Sequence, residues 1–231
     1  MAANEKQNSS AKSHRIKSTI SRKKKITITK KRKQPHPKDH EKAFFVHPKS
    51  IIDKGAQIGL RTRIWAFAHV LNGAIIGSDC NICDCVFIEN GVILGNHVTV
   101  KNGVQLYTGV TTEDYVFIGP NATFTNDLRP RVAHPVPLDQ YAKTHLAYGT
   151  SIGANATIIA GNNIGRYALI GAGTVVTHDV PAYALIVGNP GRQIGWVCEC
   201  SARLDNDYKC PKCLKRYGFT KSQTGLYELA T

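Results

Sequence analysis

Four cysteines near the C-terminal end stand as Cys198-x-Cys200 and Cys210-x2-Cys213, with nine residues between the pairs. Thiolates are soft donors, and four of them close a tetrahedral shell around Zn²⁺ with no position left for a substrate. The pattern therefore predicts a structural metal and a small zinc-ribbon-like segment over residues 196–231. The first pair is tighter than the usual spacing, so four free thiols in a short extension are the alternative. Cys80, Cys83 and Cys85 lie far upstream and need a different explanation. Seven cysteines, an odd number, and no signal-peptide pattern argue against a disulfide framework.

The net charge of +14 is concentrated at the other end of the chain. Residues 1–42 hold fourteen Lys and Arg against Glu5, Asp39 and Glu41, while the rest is close to neutral. A stretch this charged and this poor in apolar residues cannot bury enough surface to offset its ordering entropy. Residues 1–43 are expected to be a disordered basic tail. It is either a solvated extension or an arm for nucleic acid or an anionic surface. It lacks the apolar region of a signal peptide. No apolar run in the chain approaches the ~18–20 residues that a membrane span needs. A cytoplasmic protein is expected.

The elements that must position any chemistry follow from a period of six. The series Ile52, Ile58, Ile64, Val70, Ile76, Ile82, Ile88, Leu94, Val100, Leu106, Thr112, Ile118, Phe124 is apolar except at Thr112. Two residues before each member from Ile58 onward stands a small or β-branched residue: Ala56, Thr62, Ala68, Ala74, Cys80 and then mostly valines. Gly59, Gly77, Gly95 and Gly119 directly follow members of the series. A helix of period 3.6 cannot hold residues six apart on one face over this length. Hexapeptide repeats signal a parallel β-helix, three hexads closing one coil of about 18 residues. Cys80 takes the small inward position and reads as a core thiol.

The phase breaks after Phe124 and resumes at Ile152, Ile158, Ile164, Ile170 and Val176. Residues 125–149 are therefore expected to leave the coil as an inserted loop, with Pro130, Pro135, Pro137, two Arg and two His. Long loops inside compact domains are usually functional. The resulting organisation is a tail over 1–43, a β-helix over 44–195 and the four-cysteine segment over 196–231.

Several segments resemble the hexapeptide-repeat nucleotide-sugar N-acetyltransferases, the types that acetylate UDP-2-acetamido-3-amino-glucuronate or dTDP-3-amino sugars. These are Phe45-Val46-His47-Pro48, Arg63-Ile64-Trp65, Val104-Gln105-Leu106-Tyr107-Thr108-Gly109-Val110 and Glu113-Asp114-Tyr115-Val116-Phe117-Ile118-Gly119-Pro120. Further matches are Phe124-Thr125-Asn126-Asp127 with Pro130-Arg131, Ser151-Ile152-Gly153-Ala154, Ile170-Gly171-Ala172-Gly173 and Val187-Gly188-Asn189-Pro190. The hexads and the Gly-Asn-Pro ending are shared by many acyltransferases, whereas the Phe-Thr-Asn-Asp…Pro-Arg segment is narrower. The chain departs from the family at Ala66, Cys85 and Gly191. It departs again where Thr144-His145-Leu146 replaces the usual Thr-Leu-Val.

The resemblance implies an all-β, left-handed parallel β-helix. It also implies a homotrimer with sites at subunit seams, acetyl-CoA as co-substrate and a nucleotide-linked amino sugar as acceptor, in surface-glycan biosynthesis. An amine attacking a thioester must be neutral and close to the carbonyl, with a donor for the oxyanion. Backbone groups at Gly153, Ala154, Gly171 and Ala172 are the expected cradle for the pantetheine arm, and Arg192 the partner of a CoA phosphate. The same glycines are equally explained as tight-turn residues. Asn126 is the expected donor to the acetyl oxygen or the sugar, and Arg131 suits a diphosphate or carboxylate. Arg131 has an alternative as an ion-pair partner of Asp127 or Asp139. Tyr107, Glu113, Asp114 and Asp127 are expected to line the sugar pocket. His69 and His134 are the candidate general bases, with the departing CoA sulfur as the alternative proton acceptor. Two competing readings are an O-acetyltransferase acting on a small alcohol and a non-catalytic trimeric scaffold with a nucleic-acid-binding tail.

Overall fold

The structure, a computed structural model, describes residues 44–221 and 225–229. The expectation for the basic tail lies outside the described residues.

Each hexad forms a two-residue strand and a turn, and the strands stack into three parallel sheets. The first sheet begins at Phe45–Val46, the second at Ile51–Ile52 and the third at Gln57–Ile58. Register advances by one coil of 18 residues: Arg63 pairs with Asn81, Asn81 with Thr99 and Thr99 with Phe117. Within each two-residue strand of the coils the second residue points inward. Ile64, Val70, Ile82, Ile88, Val100, Leu106, Ile118, Ile152 and Ile158 are fully buried in one continuous column. Each side chain of that size contributes about 1.5–3 kcal/mol on burial. The fold is an all-β left-handed parallel β-helix, and Cys80 lies in its core as expected.

The glycines after the series members are required by the stacking. A Cβ on Gly77 would lie 2.4 Å from the Gly95 carbonyl oxygen, and one on Gly59 would lie 2.4 Å from Gly77 C. Coils therefore approach backbone to backbone at this corner.

The insertion is shorter than expected. The chain re-enters the third sheet at Thr144–Leu146, which pairs in parallel with Val110–Thr112. The loop therefore spans residues 125–143 rather than 125–149. Its neck is closed by the Ala142 N–H donating to the Asn126 carbonyl at 3.2 Å and by Thr144 N–H to the Gly109 carbonyl at 3.0 Å.

At the far end the strand Ala184–Val187 joins the first sheet, and Arg192–Trp196 returns antiparallel beside it. This strand crosses the expected boundary at residue 195. The residues that follow build a second small core of Tyr183, Cys198, Leu204, Cys210, Tyr217 and Leu226, with Trp196 packed against both cores.

Candidate active site

Apart from His69 and Arg192, the site residues expected from sequence fall on three separate corners of the prism. Gly153, Ala154, Gly171 and Ala172 occupy the corner between the first and second sheets. Their small size has an internal cause. A Cβ on Gly153 would lie 2.5 Å from Ala172 N, and one on Gly171 would lie 2.9 Å from Val187 Cγ1. The coil stack demands glycine at 153 whether or not a ligand lies alongside, and at 171 a Cβ would have to displace the Val187 side chain.

Tyr107 and the insertion share the corner between the second and third sheets. Gln105 pairs with Thr123, so Tyr107 stands one rung below the take-off of the loop. Thr125 anchors that take-off, its Oγ1 accepting the Ala160 N–H at 2.9 Å. Asn126 and Asp127 are half-buried, and Arg131 and His134 are exposed. The Asp127 carboxylate accepts the Arg129 N–H at 2.7 Å, an Asx turn that shapes the loop. Among the described residues Arg131 makes no ion pair, so its expected alternative as a partner of Asp127 or Asp139 is absent.

Glu113 and Asp114 lie on the third corner, between the third and first sheets. The Asp114 carboxylate is committed to the turn, accepting Asn96 N–H at 2.6 Å. Glu113 is tied to a residue that sequence reasoning missed. His145 Nε2 lies 3.3 Å from Glu113 Oε1, its Nδ1 lies 3.0 Å from Thr111 Oγ1, and Glu113 Oε2 accepts Tyr148 N–H at 2.8 Å. An insertion that continues to residue 149, as the sequence period suggests, conceals His145. His69 points outward from the second sheet with Nε2 3.2 Å from Asp53 Oδ1. It stands three rungs from the Thr123–Phe124 strand, about 14 Å at ~4.8 Å a rung. One chain thus brings His69 and the insertion onto the same face without bringing them into contact.

Arg192 opens the antiparallel strand and lines a cavity of about 300 Å³ with Val176, His178, Asp179, Ile186 and Gln193.

The four cysteines converge as their spacing predicts. All four sulfurs lie within 4.8 Å of one another, with Cys198 to Cys213 at 3.3 Å and Cys200 to Cys210 at 3.6 Å. A tetrahedron with Zn–S near 2.3 Å has sulfur–sulfur edges of about 3.8 Å, so the donor set fits the ion. Burial pushes the Cys198 thiol up to about 12. Burial acts the same way on Cys210, but the N–H groups of Cys213 and Lys212 and the side chains of Cys213 and Cys200 together bring that thiol down to about 6. The Tyr217 hydroxyl lies 3.0 Å from Cys198 Sγ.

No family model matches the chain. Among curated proteins, it is 52% identical over 178 residues to a dTDP-3-amino-3,6-dideoxy-α-D-galactopyranose 3-N-acetyltransferase of Aneurinibacillus thermoaerophilus. That match covers 76% of this chain and 91% of the relative. The chain belongs to the hexapeptide-repeat nucleotide-sugar N-acetyltransferases. It is an enzyme of the acyltransferase class, and the scaffold reading falls. A shorter match, 36% identical over 84 residues, is to a tetrahydropyridine-dicarboxylate N-acetyltransferase of Staphylococcus aureus; it spans 36% of this chain and 32% of that one. Among solved structures, a hexapeptide-repeat acetyltransferase of Vibrio cholerae complexed with acetyl coenzyme A aligns at TM-score 0.44 and 23% identity. The alignment covers 62% of this chain and 70% of that one.

Proposed function

We propose that the protein transfers the acetyl group of acetyl-CoA to the amino group of a dTDP-linked 3-amino-dideoxyhexose, as a cytoplasmic step of surface-glycan assembly. The observation that carries this reading is the 52% identity across 91% of a relative that bears such an activity in its name.

The working unit is a homotrimer with its sites at the seams. Leu128, Val132 and Leu138 on the insertion are exposed, as are Phe45 and Phe117 on the first sheet and Ile75 and Ile93 on the third. Apolar side chains facing outward from flat sheets and from a loop rich in proline favour a neighbouring copy as their cover. Asn126 donates to the acetyl oxygen as charge develops there, and Arg131 holds the diphosphate of the sugar nucleotide. Tyr107, Glu113 and Asp127 border the sugar, with Asp114 and Glu113 also shaping the turns beneath. Acetyl-CoA lies along the corner of Gly153, Ala154, Gly171 and Ala172 and ends at the Arg192 cavity, where Arg192 meets a phosphate. The attacking nitrogen forms the amide bond, the carbon–sulfur bond breaks and the thiolate leaves. The ammonium proton goes to that sulfur, or to His69 or His134 supplied across a seam. Zn²⁺ at Cys198, Cys200, Cys210 and Cys213 is structural.

The test is turnover of acetyl-CoA by the purified protein against dTDP- and UDP-linked amino sugars and their hydroxyl counterparts. Amide product from a dTDP-3-amino sugar, with none from the hydroxyl analogue, is the expected result. Ester product alone would establish the O-acetyltransferase reading instead.

A further inference from the structure

We propose that Zn²⁺ at the four cysteines acts as a clamp on the strand Arg192–Trp196 and so shapes the cavity at the acetyl-CoA end of the site. The inference rests on the reading of the metal and of the Arg192 cavity given above.

The strand Arg192–Trp196 is the last in the first sheet, with a neighbour on one side only. Its register with Ala184–Val187 slips between Leu185 and Ile186, and its first three residues are exposed. Its ladder to Ala184–Val187 is therefore irregular, and packing covers only its Gly195–Trp196 end. Arg192 and Gln193 nonetheless line the cavity together with the turn Val176–Pro181. What fixes the strand lies at its other end. Only Val197 separates Trp196 from Cys198, the first sulfur ligand.

From there the contacts run both ways. Val197 N–H donates to the Tyr183 carbonyl at 2.8 Å, and Leu204 N–H donates to the Trp196 carbonyl at 2.9 Å. Arg203 Nη2 donates to the Ile194 carbonyl at 2.7 Å, in the middle of the exposed strand. Arg203 and Leu204 belong to the stretch between the two cysteine pairs, so the ion holds the segment that holds the strand. Two tight turns present the ligands. Ser201 and Leu214 adopt left-handed φ of 66° and 65° just after Cys200 and Cys213, and Cys213 N–H lies 3.4 Å from Cys210 Sγ. Left-handed backbone at residues other than glycine costs free energy. Four metal bonds supply that and more, since metal binding at such sites is folding free energy. Tyr217, packed at 4.9 Å between ring centroids from Tyr183, carries the same restraint into the body of the solenoid.

A purely passive cap would stabilise the chain without favouring one substrate. A clamp on the cavity wall predicts a selective effect. Zinc is removed from the full-length protein with a chelator and then restored, with metal content read by mass spectrometry. Hydrogen exchange of the Arg192–Trp196 amides is followed alongside KM for each substrate. The expected result is about one Zn²⁺ per chain, faster exchange over this strand on removal, and a severalfold rise in KM for acetyl-CoA. KM for the sugar nucleotide stays unchanged, and all of these effects reverse on restoring zinc. Cys213→Ser is expected to reproduce the stripped state. Protein without bound metal, unchanged exchange, or equal rises in both KM values would overturn the proposal. The effect of Arg192→Ala on acetyl-CoA KM separates the two layers. If it has none while the exchange result holds, the clamp stands and the placement of acetyl-CoA is what fails.

Discussion

His145 Nε2 lies 3.3 Å from Glu113 Oε1, and the second oxygen of that carboxylate accepts the Tyr148 N–H at 2.8 Å. Glu113 thus ties the strand that follows the insertion to the corner of the coil that precedes it. Glu113→Ala removes both ties at once. The expected cost is about 1 kcal/mol, since the groups are half-exposed and water replaces part of what is lost. Because the insertion is then held less firmly where it re-enters the coil, kcat/KM for the sugar nucleotide should fall while KM for acetyl-CoA holds. Thermal unfolding and two-substrate kinetics check both parts. An unaltered Tm together with unaltered kinetics would mean that the pair is idle.

This pair also marks how far the sequence could be read. The coils were legible because burial has a strict period: Ile64 to Phe124 is one inward column, and every sixth residue reports it. The end of the insertion was legible in principle. Leu146 stands six residues before Ile152, and Thr144 occupies the small position two residues ahead of it. A series that resumes only at Ile152 conceals both, and with them His145. The pairing of Thr111 with His145, 34 residues on where a regular coil brings a partner 18 residues on, depends on the loop's closure. Local periodicity carries no information on that. The four cysteines were legible because metal chemistry constrains spacing directly. The file of rings His97, Tyr115, Tyr148, Tyr167, Tyr183 and Tyr217, with successive centroids 4.5–5.5 Å apart, was not. Its sequence intervals are broken by the insertion between Tyr115 and Tyr148 and by the cysteine segment between Tyr183 and Tyr217.

Asn126 and Arg131 leave different kinetic traces if the proposed roles hold. Arg131→Ala removes a contact to one substrate in ground and transition states alike, so it raises KM for the sugar nucleotide and leaves acetyl-CoA nearly untouched. Asn126→Ala removes a donor that matters most as the oxyanion forms, so it lowers kcat, on the order of 10²-fold. Steady-state kinetics with each substrate varied in turn separate the two. An Arg131→Ala enzyme impaired only for acetyl-CoA, or a fully active monomer, would move the site elsewhere.

The basic segment carries most of the net charge yet lies outside the hexads. Deleting residues 1–42 should leave kcat/KM within a few fold. A large loss in a protein that still assembles would assign the segment a part in catalysis.

Two glycines on the coil stack separate steric need from conformational need. Gly77 has an ordinary φ, but a Cβ there would lie 2.4 Å from the Gly95 carbonyl oxygen. Gly73 has a left-handed φ of 81°, and the nearest atom to its Cβ would be 3.8 Å away. Gly73→Ala pays only backbone strain, about 1–2 kcal/mol. Gly77→Ala must push two backbones apart in a stack with no slack, and overpacking of this kind costs about 1–3 kcal/mol or more. Denaturant unfolding of both variants ranks them. A larger loss for Gly73→Ala would contradict the steric account.

Arg61 and Asp79 form a two-point ion pair across one coil, with contacts of 2.7 and 2.5 Å. The hydrogen bonds from Arg61 hold the Asp79 carboxyl below its ordinary range. A depressed pKa in the folded state means that the stabilisation is present above the unfolded carboxyl's value of about 3.9. It is lost as pH falls through the folded value. Arg61→Gln removes the cause of the shift, so the variant should melt below wild type near neutral pH, and the two curves should converge in acid. The pair is exposed enough for salt to screen it, so the gap should also narrow between low and high ionic strength. Melting curves of both proteins across pH, each at two salt concentrations, decide the matter. A gap that persists unchanged into acid would show that Arg61 stabilises the coil through packing of its side chain and not through the charge on Asp79.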